Sequence, residues 1–157
     1  MIDHKNHFLR YSQLMGLVCG AFPARKRDGG YTAAIYILSA DPELFSISVS
    51  YANEDGISFA GILRAARRHE LTDSQITALY AAHSLFNDGS RGKASPSELS
   101  LCDLSTLDLI TNALFIRKGL RRPVRGSNNE MQLDRQKEAE RRAFESPVRW
   151  DLTSFAW

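Results

Sequence analysis

The amino-acid sequence predicts a mainly α fold, a compact bundle of five or six helices with room for one short β-hairpin. A charged C-terminal helix and an aromatic tail are expected to follow it. Three observations carry this expectation. Apolar residues recur at three- and four-residue spacing through most of positions 3–119, as they do on a helix with one buried face. Capping residues stand where several of these runs begin, and glycines where they stop. Strict apolar/polar alternation, the mark of a strand, is confined to one short stretch. The chain has 157 residues, 43% hydrophobic and 24% charged, which suits one core domain at 1–120 and an extension at 121–157.

The first helix is expected from about Asp3 to Cys19, because Phe8, Tyr11, Met15 and Val18 keep helical spacing with Leu14 beside them. Proline, a charge run and paired glycines make 23–30 a loop. Tyr31 to Ala40 is apolar nearly all round and is expected to be a central, buried helix. Two signals then conflict. Asp41-Pro42-Glu43 has the order of a helix start, whereas Phe45 to Tyr51 alternates like a strand. The reading is one helical turn, then a strand turning through Asn53-Glu54-Asp55-Gly56 to Ile57. A helix at about 58–69 places Phe59, Ile62, Leu63 and Ala66 inward. Thr72 with Gln75 three residues on is a capping box, opening a helix striped by Ile76, Leu79, Tyr80, His83 and Phe86. Ser95-Pro96 starts a short turn, and Asp103 or Ser105 opens a long helix through Leu107, Ile110, Leu114 and Ile116 to Gly119. Residues 121–130 read as a basic linker. Residues 131–145 read as a helix held by charge pairs such as Glu138–Arg142.

The formal net charge of +2 excludes a dense acidic surface and also binding driven by overall positive charge. The charge is nonetheless uneven. Residues 1–116 carry −2, 117–129 carry +5 and 130–157 carry −1. Cys19 and Cys102 each sit in apolar company and read as free thiols. The opening residues lack a secretory pattern, and the longest apolar stretch falls far short of the roughly 20 residues a membrane span needs. A cytoplasmic protein without membrane attachment is the expectation.

The segments His4-x-x-x-Phe8, Ala34-Ile35-Tyr36-Ile37-Leu38-Ser39 and Pro42-Glu43-Leu44-Phe45 come in a familiar order. Leu71-Thr72, Leu85-Phe86-Asn87-Asp88-Gly89, and Asp103-Leu104-Ser105 running to Ala113-Leu114-Phe115-Ile116-Arg117 follow them. Over about residues 3–118 the chain resembles a family of small uncharacterised bacterial proteins, a domain of unknown function common in Gram-positive bacteria and their mobile elements. The resemblance implies a compact, mostly helical fold and supplies no catalytic residues. Residues 121–157 lie outside it.

Few motifs speak for chemistry. His4 and His7 share a helix face, but no Cys-x-x-Cys or His-Glu-x-x-His accompanies them, so no metal or cofactor is assigned. His83 reads as a hydrogen-bonded core histidine. Gly89 to Ser95 lacks the spacing of a phosphate loop and follows a helix, not a strand. No Gly-x-Ser-x-Gly elbow is present. An enzyme would have only His4, His7 and His83 as acid or base groups, and no catalytic residue is assigned. Contacts with phosphates are expected instead from Arg64, Arg67 and Arg68 and from Arg117, Lys118, Arg121, Arg122 and Arg125. Arg149, Trp150, Phe155 and Trp157 form a candidate docking segment for a partner or for a second copy of the chain. The function expected is binding without catalysis. Its form would be a host-interaction factor engaging a protein or ribonucleoprotein, such as an inhibitor of a defence nuclease. The alternative is a regulator that binds RNA or DNA through residues 117–125.

Overall fold

The computed structural model describes residues 1–87 and 94–145. Among them lie eight α-helices: α1 (His7–Cys19), α2 (Gly29–Ala40), α3 (Pro42–Val49), α4 (Phe59–Ala66), α5 (Asp73–Phe86), α6 (Pro96–Leu99), α7 (Leu104–Arg117) and α8 (Gln136–Phe144). Two antiparallel hairpins join them, β1 (Ala52–Asn53) with β2 (Gly56–Ile57) and β3 (Arg122–Arg125) with β4 (Met131–Asp134). The fold is mainly α, as expected. The short helices α3 and α6 account for the larger number.

Helix α2 is the axis of the molecule. Every residue from Thr32 to Ala40 is buried, and α1, α3, α5 and α7 all pack on it. Its start lies two residues earlier than the glycine pair suggested. The Asp28 carboxylate accepts hydrogen bonds from the amides of Gly30 (2.7 Å) and Tyr31 (3.2 Å), so Gly29 and Gly30 form the first turn. Gly29 serves a close approach: a Cβ there would stand 2.5 Å from the Arg117 carbonyl oxygen at the end of α7. The expected loop before α2 contains a single 3-10 stretch, Pro23–Arg27.

The core runs through Leu14 and Val18 of α1, Ile35, Ile37 and Leu38 of α2, Leu44, Ile62, Leu79 and Ile110. On α5 the buried face is turned from the expected stripe. Ala78, Leu79, Ala81 and Ala82 are buried, while Ile76 and Tyr80 are only partly so. Small residues on that face suit a helix packed closely on another.

Positions 45–51, expected as a strand, belong to α3 up to Val49. Asp41 caps that helix by accepting from the amides of Glu43 (2.9 Å) and Leu44 (3.1 Å), and Pro42 fills its first position. Burial of Leu44, Ile47 and Ser48 then follows helical spacing, and tertiary packing overrides the local β preference. The expected turn at 53–56 does form, between β1 and β2. Gln75 fastens two helix starts together. Its side-chain oxygen completes the Thr72 capping box of α5 (2.9 Å), and its Nε2 donates to Asp41 (3.0 Å).

The basic linker expected at 121–130 is instead strand β3 and its turn, and the helix expected from 131 begins only at Gln136. Gly126 donates to the Glu130 carbonyl (2.8 Å), and Asn129 takes the left-handed conformation at φ 58° that closes this turn. Pro123 is buried, and Met131 and Leu133 pack against the core cluster. The hairpin is therefore seated on the bundle.

Candidate functional site

The three histidines expected as acid or base candidates occupy three different settings. His7 is buried, with Nε2 2.8 Å from the Tyr36 carbonyl oxygen and its ring 4.8 Å from the Tyr36 ring. A carbonyl only accepts, so Nε2 carries the hydrogen and Nδ1 is a bare acceptor. Burial pushes the His7 pKa down to about 4, so the ring is neutral at neutral pH. His4, expected to share its face, is exposed. His83 is partly buried and stacks on Phe59, with centroids 4.7 Å apart and planes 15° apart. That stacking, and no hydrogen bond of its ring among the described residues, is what holds it. Burial lowers its pKa also. Cys19 is buried and Cys102 half-buried, both as free thiols, and burial raises the Cys19 pKa. Among the described residues no three His, Cys, Asp or Glu side chains gather as a metal ion requires.

Two regions carry the arginines expected to contact phosphates, and they differ. In the block 117–125 the guanidinium groups already hold partners. Arg117 Nε donates to the Leu85 carbonyl (2.9 Å). Arg121 donates to both carboxylate oxygens of Glu138 (2.6 and 3.0 Å) and to Asn112 Oδ1 (2.5 Å), and lies 4.0 Å over the Phe115 ring. Only 10% of the Arg121 side chain is exposed and 9% of Glu138. The Arg121 guanidinium, helped by Arg142, holds the Glu138 carboxyl down to about 2. Arg122 pairs with Asp134 (3.2 Å) across the hairpin, and Arg125 donates to Asn129 (2.5 Å) in its turn. The block fastens β3, β4 and α8 to α7. Lys118 is exposed at the end of α7.

Arg64, Arg67 and Arg68 behave otherwise. They cluster at the C-terminal end of α4 and all three are exposed. None hydrogen-bonds or pairs with a carboxylate through its side chain among the described residues. A helix C-terminus favours cations there, so the arrangement costs the fold little. It leaves three charged forks pointing to solvent, each able to grip a carboxylate or phosphate through two bonds.

The candidate docking residues Arg149, Trp150, Phe155 and Trp157 lie outside the described residues, as do positions 89–93 of the loop tested for phosphate binding. Among the described residues, no helix is long and apolar enough to cross a membrane. What the sequence did not announce is a cleft of about 370 Å³ where β4 faces the N-terminal turn, α2 and α7. It brings Tyr36, Asn112, Gln132 and Arg135 together with His4 and His7. The one available hint was Tyr36 itself, a hydroxyl inside an otherwise apolar run that must find a polar neighbour. No protein-family model, curated protein or solved structure matches the chain.

Proposed function

We propose that the protein is a non-catalytic binding factor that engages a host protein or ribonucleoprotein through the arginine cluster at the end of α4. The observation that carries this reading is that Arg64, Arg67 and Arg68 are exposed together without a carboxylate partner among the described residues. Three unspent guanidinium forks on one surface suit a partner rich in carboxylates or phosphates, and arginine is prominent among the residues that dominate protein interfaces. The resemblance to proteins of bacterial mobile elements suggests the setting, a factor acting on a host assembly such as a defence nuclease. A docking contribution from Arg149, Trp150, Phe155 and Trp157 fits the same reading, and so does pairing of two copies through that segment. Binding of RNA or DNA through Arg117 to Arg125 draws less support, because four of those side chains are engaged within the chain.

The test is affinity capture from a bacterial lysate with wild-type protein and the triple variant R64E/R67E/R68E. Circular dichroism confirms that both are folded. The variant is expected to lose the captured partner, and nuclease treatment of the lysate separates a protein partner from a ribonucleoprotein. Equal capture by both proteins overturns the proposal. Retention on heparin that depends on Arg122 and Arg125, and not on the α4 cluster, transfers the function to the nucleic-acid reading.

A further inference from the structure

The cleft beneath β4 has the makings of a ligand site that the proposed partner contact does not use. Its volume of about 370 Å³ falls in the range of small-molecule sites. Met131 and Leu133 supply apolar lining, and the remaining walls are polar. No carboxylate lines it. The nearby acids are committed elsewhere: Asp3 to Arg10 (3.0 Å), Asp134 to Arg122 and Glu138 to Arg121. Glu130 lies outside and holds the Gln132 amide nitrogen (3.0 Å). Arg135 pairs with no carboxylate among the described residues, and its charge is felt at the Tyr36 hydroxyl.

The hydrogen-bonding capacity of His7, Asn112 and Tyr36 can be assigned atom by atom. His7 spends Nε2–H on the Tyr36 carbonyl, and no partner exists among the described residues for Nδ1. No buried side-chain nitrogen or oxygen among the described residues lacks a partner, so Nδ1 must reach open space, and the open space beside His7 is the cleft. The Asn112 oxygen is taken by Arg121 Nη1, so its amide NH2 end faces Tyr36, where one hydrogen goes to the phenol oxygen and the second remains for a ligand. Tyr36 keeps its proton and is a donor at any ordinary pH, since burial pushes its pKa up to about 12. Arg135 thus supplies a cation, Tyr36 and Asn112 neutral donors and His7 Nδ1 a fixed acceptor, with His4 and the Gln132 side-chain oxygen also on the walls.

We propose that this cleft binds a small organic anion, a carboxylate or phosphate ester that also carries a hydroxyl or amine hydrogen. The anionic group meets Arg135, the Tyr36 hydroxyl and the Asn112 amide, and the ligand's own O–H or N–H donates to His7 Nδ1. This pairing of charge with a donor distinguishes the ligand from a bare anion, for which His7 has nothing to offer.

The test is a ¹H–¹⁵N NMR titration of the full chain with lactate, glycerol 3-phosphate, sulfate and glycerol. Lactate or glycerol 3-phosphate is expected to shift the Gln132 and Leu133 amides and the Asn112 side chain saturably, with a Kd of about 1 mM or tighter. Response to lactate alone makes the ligand a carboxylate, and response to glycerol 3-phosphate alone makes it a phosphate ester. R135Q, an exposed substitution, is expected to weaken binding about 10-fold. Y36F keeps the ring and removes one donor, and is expected to weaken it less. The absence of saturable shifts with both organic anions overturns the proposal. Equal binding of glycerol, tighter binding of sulfate, or unchanged affinity in R135Q overturns it as well.

Discussion

The two basic regions look alike in the sequence and do different work in the fold. Arg121 is nearly enclosed, bonded at every nitrogen and stacked on Phe115, whereas Arg64, Arg67 and Arg68 stand free at the end of α4. The denser block, five cations without an acid, is the one whose four arginines are engaged within the chain, with Lys118 left exposed. Charge density along a chain therefore says little about charge offered to a partner. What decides is whether an acid distant in sequence folds back onto it, as Glu138 does onto Arg121.

Acid should reveal the largest effect around the seated hairpin, because His7 and Glu138 both resist protonation there and give up their stabilisation in successive pH windows. The His7 pKa is depressed from 6.5 to about 4, so the unfolded chain takes up a proton first. Stability is expected to fall by about 3 kcal/mol as pH drops from 6.5 to 4, read by urea unfolding, and this loss should vanish in a folded H7Q variant. Glu138, lowered from 4.5 to about 2, contributes stability above pH 4.5 that is lost as pH falls through 2. The clasp is thus expected to outlast the loss caused by His7. Next in size, R121A should destabilise by about 2 to 3 kcal/mol, since it strands Glu138 and Asn112 without their donor. A loss below about 0.5 kcal/mol would break the contrast between the two regions. R125Q removes one exposed bond to Asn129 and should cost about 0.5 kcal/mol. R64Q, R67Q and R68Q should each leave thermal stability unchanged within about 0.5 kcal/mol while weakening the captured partner.

Features set by neighbours in sequence could be read in advance. The Thr72 capping box, the buried run of α2 and the turn at 53–56 are of this kind. The α3 helix shows where local reading fails. Phe45, Ile47 and Val49 satisfy a strand pattern, yet Asp41 and Pro42 start a helix whose Leu44 and Ile47 reach the core. The hairpin at 122–134 was hidden for a second reason. Its turn residues, Gly126 to Asn129, suit a linker as well as a turn, and what fastens it is a pair 17 residues apart. The cleft was less visible still, since its polar residues come from four separate elements and no spacing rule joins Tyr36, Asn112 and Arg135.

Gln75 ties the opening of α5 to that of α3 by bonding Thr72 with one end of its amide and Asp41 with the other. One side chain thus joins two helix starts that lie more than thirty residues apart in sequence. The amides of Glu43, Leu44 and Gln75 should accordingly open to hydrogen exchange as a single cooperative unit. A Q75A protein would let them exchange on separate clocks.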